Sequence, residues 1–508
     1  MRDKAVYLNC HSYYSLRFGT MSVEQLVEKA AGTGVESMAL TDINNSTAIP
    51  EFVQECINNN IRPLAGIEFR RDNELLYTGI ARNNRGMKEL NEFLSKHNFE
   101  GTPLPFPAPH FSEAYIIYPV KKPPGRKLFD NERTGIRKDE AGRLVSLGPD
   151  EKKSMIIMQP VTFNVPDDIF IHKSLRAIDN NILLSHLKPS QCAGENEFFH
   201  SPAHLKQEFI NYPGIIHNTE KLTADCSISF DFGNQKNKKI FSASRYDDKL
   251  LLEKLAWDGM VYRYGKNNDE AKKRIRHELE IIDKLGFSAY FLITWDIIRY
   301  SMSRGFYHVG RGSGANSIVA YCLKITNVDP IDLNLYFERF INPKRSSPPD
   351  FDIDYSWKER DEVTDYIFKR YGYHHTALLG TINTFRGKSI VRELGKIHGL
   401  PKEEIDELID NPFSGRNGSE ISDIIFATGR RIADFPNLRS IHAGGILISE
   451  EPVSCYTALD MPPKGFPTTQ WDMYTAEEIG FEKLDILSQR GLGHIRESVE
   501  IIRENRSE

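Results

Sequence analysis

Short apolar runs alternate with segments of helical periodicity along residues 5–70. The runs AVYLNC and SMALTD are predicted to be strands. The segments MSVEQLVEKAAGTG and IPEFVQECINNN carry apolar residues at the three- and four-residue spacing of amphipathic helices. This alternation predicts an α/β layer or barrel at the start of the chain.

Two later stretches depart from this pattern. Residues 98–152 are rich in proline, glycine and charge, which predicts loops or an irregular insertion, and we place no active site there. Residues 246–305 show a strongly helical pattern, so we expect a new domain to begin near residue 235.

Three acids alternate with apolar residues in SSPPDFDIDYSW, residues 346–357. In a strand, Asp350, Asp352 and Asp354 would share one face, where their carboxylates repel one another. Either this is a solvated edge strand, or the acids surround divalent cations. The second interpretation rests on the chemistry of Mg²⁺, which prefers carboxylate oxygens and keeps positions open for phosphates, and these twelve residues alone do not decide between the two.

A glycine-rich loop, Gly310 to Gly314, precedes the apolar run SIVAYCL, which is predicted to begin a helix. Crowded backbone N–H groups and a helix N-terminus would together bind phosphate, and Arg311 would add a positive charge. The alternative is a plain glycine-rich turn. A phosphate site beside a carboxylate metal site is what phosphoryl transfer requires.

Composition narrows the class of protein. The chain has 508 residues, 40% hydrophobic and 27% charged, so we expect a globular protein of about two to four domains. It has no apolar run of membrane-spanning length and no secretory signal, which predicts a cytoplasmic location. The six cysteines form no CxxC pair and are expected to be reduced thiols.

A net charge of −5 argues against a protein that coats nucleic acid indiscriminately, but it allows a local basic groove. Residues 368–402 contain seven Lys or Arg and one Glu. Arg386, Lys388 and Arg392 are candidates for contacts with DNA backbone phosphates, which position DNA without reading its sequence. A solvated basic helix is the alternative.

The run GRGSGANSIVAYCLKITNVDPIDLNLYFERFINPKRSSPPDFDIDYSWKERDEV resembles the palm domain of the bacterial replicative DNA polymerase III alpha subunit family. The similarity extends to HSYYSLRFGTMSVEQLVEKAAGTGVESMALTD, FHSPAHLKQEFINYPGIIHNT, HAGGILIS and QWDMYTAEEIGFEKLDILSQRGL. It implies a multidomain α/β protein that begins with a barrel-like polymerase-and-histidinol-phosphatase (PHP) domain at 1–235. A polymerase-beta-like nucleotidyltransferase palm, a mixed sheet with helices, would follow at 236–375 and 437–508, interrupted by a helical thumb at 376–436.

The resemblance also assigns the site. It implies that Asp350, Asp352 and Asp485 are catalytic ligands of two Mg²⁺ ions, and that Asp354 is a supporting or solvent-facing acid. The residues implied to contact nucleotide phosphates are Arg311, Gly312, Ser313, Arg345 and Lys483. Two alternatives remain open: Lys483 forms a simple ion pair with Asp485, and His442 of HAGG is a buried structural histidine rather than a site residue.

The PHP segment departs from the family pattern. Asn9, Ile43 and Leu76 stand where active PHP domains carry histidines, and neither an amide nor an aliphatic side chain replaces imidazole around transition metals. Of the early ligand set, three residues remain: His11, Asp42 and Glu68. We therefore expect a structural support that binds little zinc or manganese. A PHP-type metal-dependent phosphoesterase is the alternative.

The family continues beyond this chain with fingers, a clamp-binding segment and an oligonucleotide-binding domain. The resemblance implies primed DNA and deoxynucleoside triphosphates as substrates. It implies as partners the C-terminal polymerase part, the sliding clamp and other replisome subunits. Whether the chain is a fragment, one part of a split polymerase or a non-catalytic DNA-binding remnant stays open. We expect it to bind nucleotide poorly by itself.

Overall fold

A computed structural model describes residues 5–341, 351–411 and 420–506. Its strands are β1 Ala5–Cys10, β2 Val35–Leu40, β3 Arg62–Arg71, β4 Glu74–Ala81, β5 Ala114–Pro119, β6 Glu132–Ile136, β7 Met155–Ile157, β8 Pro160–Val161, β9 His308–Arg311, β10 Asp352–Ser356, β11 Thr376–Thr384, β12 Pro436–Ile448, β13 Leu459–Asp460, β14 Thr468–Thr469 and β15 Leu484–Gln489.

Its helices are α1 Val23–Thr33, α2 Ile49–Asn58, α3 Asn84–Glu100, α4 Pro149–Lys152, α5 Ile169–Asn180, α6 Pro202–Glu208, α7 Pro213–Asp225, α8 Arg245–Tyr264, α9 Asp269–Leu285, α10 Ser288–Ser303, α11 Ile318–Cys322, α12 Arg360–Tyr371, α13 Lys388–Ile397, α14 Lys402–Asp410, α15 Glu420–Ile432, α16 Met473–Glu478 and α17 Arg490–Arg506. Within the described ranges, no helix is both long and apolar enough to span a membrane.

The chain divides into two compact units. The first comprises Met1–Phe230, Thr381–Ser440 and Ser454–Asp460, and the second comprises Asp231–Gly380, Ile441–Val453 and Met461–Glu508. The segment predicted as a thumb, 376–436, falls mainly within the first unit. The domain boundaries inferred from the sequence stay predictions.

The first unit is built on a mixed sheet of strand order β7-β6-β5-β4-β3-β2-β1-β8. β1 runs parallel to β2 and β8, while β4 is antiparallel to both β3 and β5. The α/β alternation predicted for residues 5–70 is confirmed. Helices α13 to α15 pack on α5 through buried Leu175, Leu394 and Ile425.

The prediction of an irregular insertion over 98–152 is wrong in part. AYIIYP and ERTGI form β5 and β6, which pair in parallel inside this sheet. The apolar run of β5 lies between proline-rich segments whose turn signals mask it in the sequence. A cavity of about 820 Å³ lies beside these strands, lined by Tyr115, Phe129 and Glu132 among others.

The second unit contains strands in the order β14-β11-β12-β15-β10-β9. The helical pattern predicted over 246–305 is confirmed by α8, α9 and α10. These helices share a hydrophobic core with the apolar face of β10, where Phe351, Ile353 and Tyr355 are buried. The pleat therefore turns the acids of β10 to the opposite face of the sheet.

Candidate functional site

Two of the predicted acids lie side by side at the centre of the second unit's sheet. β10 and β15 are parallel neighbours, and Asp352 pairs in register with Asp485. Residues paired in register point to the same face of a sheet, so the two carboxylates adjoin. Asp485 is buried, and its Oδ1 has no hydrogen-bond partner within the described part of the chain. Among the described residues, this buried oxygen is left unsatisfied.

Basic side chains already balance part of this negative charge. Lys483 Nζ donates to Asp485 Oδ2 at 2.5 Å. Arg311 lies in register with Asp352 on the other side of β10, and its Nη1 donates to Asp352 Oδ2 at 3.2 Å. Its Nε donates to Asp354 Oδ2 at 3.0 Å. The acids and these two cations form one network.

Asp354 is a buried supporting acid. Its side chain is 8% exposed, which corrects the alternative of a solvent-facing acid. Besides Arg311 it contacts Gln489, whose Nε2 donates to Asp354 Oδ1 at 3.4 Å. We did not identify Gln489 from the sequence. The sequence spacing could have indicated it, because Gln489 lies four residues after Asp485 and therefore on the same face of β15.

The loop after Arg311 lies directly against this network. Gly312 has a φ of +75°, and a Cβ there would lie 3.0 Å from Asp352 Oδ2. Glycine at this position thus satisfies both the backbone conformation and the close approach. Gly312 and Ser313 are exposed and belong to a 3-10 helix, Gly312–Asn316.

The predicted phosphate site at the following helix N-terminus is wrong. The helix that follows, α11, is five residues long, and its N-terminal amides are already occupied. Glu278 of α9 accepts hydrogen bonds from the amides of Ile318 and Val319 at 3.1 and 3.2 Å and from Ser317 Oγ at 2.8 Å. A buried carboxylate of the chain itself takes the place that the sequence pattern left for phosphate.

Burial raises the pKa of Glu278 to about 7, although its hydrogen bonds act in the opposite direction. A carboxyl with a raised folded-state pKa stabilises most below its ordinary value of 4.5 and loses that contribution as pH rises through about 7. We expect the wild type to lose on the order of 3 kcal/mol more unfolding free energy than Glu278→Gln between pH 5 and pH 8. Urea titrations of both proteins at the two pH values check this. Equal losses would contradict it.

His442 lies beside Asp485 with its ring fixed by backbone groups. Its Nδ1 accepts from the amides of Gly444 at 3.2 Å and Gly445 at 2.8 Å. The same nitrogen lies 3.9 Å from Asp485 Oδ1. Because Nδ1 acts as an acceptor, the neutral ring carries its proton on Nε2.

The remaining predicted site residues lie elsewhere. Asp350 and Arg345 fall outside the described residues. Arg386, Lys388 and Arg392 are exposed and belong to the first unit, whereas the acids belong to the second. Arg386 pairs with Asp434 at 2.7 Å, and Lys388 pairs with Asp410 at 3.3 Å. Exposed ion pairs of this kind contribute little to stability.

In the PHP remnant of the first unit, the chain's own groups contact Glu68 and Asp42, while His11 Nε2 makes no hydrogen bond with the described residues. Asn9 Nδ2 donates to Glu68 Oε2 at 2.9 Å, and Arg70 Nε lies 2.5 Å from Glu68 Oε1. His11 Nε2 lies 3.2 Å from Glu68 Oε2. The second set of contacts surrounds Asp42, which accepts from Ser12 and Ser15.

These contacts bear on metal binding. Arg70 supplies a positive charge at Glu68, and the donors around Asp42 take the oxygens that a metal would need. Over the ranges 5–341, 351–411 and 420–506, no group of three or more His, Cys, Asp or Glu side chains is arranged to hold a metal ion. Asp350, the third predicted palm ligand, is outside those ranges.

Two families of known proteins match parts of this chain. Residues 8–119 match the PHP domain family, and residues 250–488 match the family described as bacterial DNA polymerase III alpha NTPase domain. An error-prone DNA polymerase of Symbiobacterium thermophilum is 27% identical over 98% of this chain and 52% of its own length.

Two DNA polymerase III alpha subunits give similar matches. That of Halalkalibacterium halodurans is 30% identical over 99% of this chain and 50% of its own length. That of Escherichia coli K12 is 26% identical over 99% of this chain and 49% of its own length. The chain therefore spans about half the length of the curated relatives it matches.

Proposed function

We propose that this chain, which carries the PHP and NTPase domains of the bacterial DNA polymerase III alpha family, is the PHP, palm and thumb part of a DNA-directed DNA polymerase. The observation that carries the proposal is the register pairing of Asp352 with Asp485, with one buried Asp485 oxygen left open. A buried carboxylate oxygen without a donor is costly unless a cation or proton reaches it. The family match supplies the reaction in which such a cation acts.

In this proposal Asp352 and Asp485, with Asp350 by resemblance, hold two Mg²⁺ ions. Bound there, the ions would activate the primer 3′ hydroxyl for attack on the α-phosphorus and neutralise the departing pyrophosphate. The protein's own share is positioning. Asp354 orients Arg311 through the bond at 3.0 Å.

Nucleotide phosphates would meet the basic side of the same network. Arg311, Gly312, Ser313 and Lys483 adjoin the acids, and Arg345 joins them by resemblance. A triphosphate would compete with the carboxylates for Arg311, whose guanidinium favours phosphate oxygens in bidentate geometry. Arg311 would then release Asp352 for metal binding.

The runner-up functions have less support. A PHP-type phosphoesterase would need the carboxylates of Glu68 and Asp42 to be open to metal, but Arg70 and Asn9 contact Glu68, and Ser12 and Ser15 contact Asp42. A non-catalytic DNA-binding remnant would have no use for an unsatisfied buried Asp485 oxygen beside a second acid.

The proposal extends to substrates and partners. Primed DNA would contact Arg386, Lys388 and Arg392 through its backbone phosphates, and deoxynucleoside triphosphates would enter at Arg311. By resemblance to the family, we propose as partners a further polymerase part, a sliding clamp and other replisome subunits, in the cytoplasm.

Binding and extension assays test the proposal. We expect the chain alone to bind primed DNA weakly and with strong salt dependence, and to incorporate negligible nucleotide, since it covers half of its relatives. Adding a polypeptide that covers the relatives' other half should restore extension. Arg392→Gln should weaken binding, whereas Arg85→Gln, an exposed arginine of the same unit, should leave it unchanged. Extension at full rate by the chain alone would contradict the expectation.

A further inference from the structure

A groove of about 380 Å³ lies in the second unit, away from the acids, between α8, α10 and the end of α11. Its floor is apolar and is formed by Leu255, Ile298, Cys322 and Leu323. The helices approach closely here because position 259 is glycine, where a Cβ would lie 2.2 Å from the carbonyl oxygen of Cys322. The close packing of α8 against α11 therefore shapes the groove.

Two aromatic rings, each with a cation against it, form the rim. Lys324 Nζ lies 4.6 Å from the centroid of the Tyr262 ring, and Arg299 Cζ lies 5.0 Å from that of Trp295. Tyr262 is 72% exposed, although Lys324 lies over its ring. Both rings therefore offer contact area to a molecule in the groove.

Lys324 is held in a conformation that a lysine rarely adopts. Its φ is +62°, and His308 Nε2 donates to its carbonyl oxygen at 2.8 Å. Glycine or asparagine is the usual choice at such a position after a helix. This left-handed residue directly follows the C-cap of α11 and ends that helix, and its side chain lies against Tyr262.

Over the described ranges, two cations, Lys324 and Arg299, and one acid line the groove, so the formal charge of its lining is +1. Arg299 donates to the buried Asp296 at 2.8 Å, but Arg370 shares the same carboxylate at 3.1 Å, so one acid serves two guanidinium groups. The acid that lines the groove is Asp258. Lys324 has no ion pair with a carboxylate in the part of the chain that the structure describes.

We infer that this groove binds an unpaired nucleotide of single-stranded DNA. The base would stack against Tyr262 over the apolar floor, and the flanking phosphates would lie against Lys324 and Arg299. Aromatic platforms beside cations are the means by which proteins bind single strands without sequence preference. An apolar peptide would use the floor but not the cations. The choice of DNA rests on the proposed function, because a templated polymerase meets unpaired template strand.

Fluorescence titration of the full chain with single-stranded oligothymidylate tests the inference. We expect quenching of tryptophan emission that Trp295→Phe removes without abolishing binding. Tyr262→Ala should weaken affinity about tenfold, the loss typical of one stacked base. Lys324→Gln should reduce the slope of log affinity against log salt by about 0.7, the change for one released phosphate contact on a single strand.

Matched variants separate the groove from the rest of the surface. Tyr246→Ala replaces a 67% exposed tyrosine on α8 that does not line the groove, and Lys254→Gln removes an exposed charge from the same helix. Both should bind like wild type. Met302→Glu places a negative charge on the groove wall without removing an aromatic ring and should weaken binding as well, so the test survives if Tyr262→Ala misfolds.

Unchanged affinity and salt slope in Lys324→Gln and Met302→Glu would overturn the inference. If the same result were found while Asp352→Asn abolished primer extension by the enzyme completed with the relatives' other half, the proposed polymerase function would be supported. Only the inference about the groove would then be rejected. Weakened single-strand binding in the groove variants, with extension intact in Asp352→Asn, would instead support the groove and reject the polymerase site.

Discussion

Asp352→Asn and Asp485→Asn are each expected to lower nucleotide incorporation by about 10²–10⁴-fold in the enzyme completed with the relatives' other half. An amide removes one anionic ligand from a site whose cations contribute several kcal/mol of transition-state stabilisation, and each 1.4 kcal/mol is a factor of ten in rate. Asn has the shape of Asp, but in Asp485→Asn the buried Lys483 loses an anionic partner, so thermal unfolding of each variant is measured to separate lost chemistry from lost stability. Single-nucleotide extension of a primed template measures the effect.

Two controls sharpen this prediction. Asp354→Asn should have a smaller effect, because Asp354 acts through Arg311 rather than through the open oxygen of Asp485. Asp332→Asn changes an exposed acid outside the network and should leave the rate unchanged. Normal extension by Asp485→Asn would mean that β15 does not contribute a metal ligand.

Arg70→Met is expected to destabilise the first unit by about 3–5 kcal/mol at pH 7, the usual result of removing one partner from a buried ion pair. Glu68 is fully buried and Arg70 is 11% exposed, so water compensates little for the lost charge. Burial alone would raise the pKa of Glu68, but Arg70 and His11 hold it well below the ordinary range. Without Arg70 a buried carboxylate remains without its strongest partner.

The sign of the pH dependence follows from this depressed pKa. Glu68 contributes stability above the ordinary glutamate value of 4.5 and loses it as pH falls towards its folded-state pKa. In Arg70→Met the carboxyl protonates at a higher pH, so the difference between variant and wild type should narrow as pH falls.

Hydrogen exchange of the amides in β1, β2 and β3 measures the difference in stability between variant and wild type within the first unit. Tryptophan fluorescence is less suitable, because all four tryptophans lie in the second unit. Arg85→Met removes an exposed arginine of the first unit and should change exchange little. Equal protection in Arg70→Met and wild type, or a gap that widens in acid, would show that Arg70 does not balance Glu68.

Local patterns in the sequence carried much of the architecture. Period-two alternation predicted the acids on one face and their apolar neighbours on the other, and β10 shows this for Asp352 and Asp354 against the buried Ile353 and Tyr355. Which strand would bring Asp485 beside Asp352 is a question of long-range pairing, and only the family resemblance reached it.

Other features depend on contacts that no local pattern encodes. Glu278, 40 residues earlier in the chain, accepts from the N-terminal amides of α11, so the helix part of the predicted phosphate site is occupied by the chain itself. The ion pair between Arg70 and Glu68 could have been predicted locally, since Arg70 follows Glu68 by two residues on the same strand. The signal of β5 was hidden by the prolines on either side of it.

Anomalous scattering from Mn²⁺ in crystals of the completed enzyme with primed DNA and nucleotide tests the central claim most directly. The account predicts manganese between Asp352 and Asp485, with one ion roughly 2 Å from the open Oδ1 of Asp485, and none at His11, Asp42 and Glu68. Manganese bound at His11, Asp42 and Glu68, with none between Asp352 and Asp485, would contradict it.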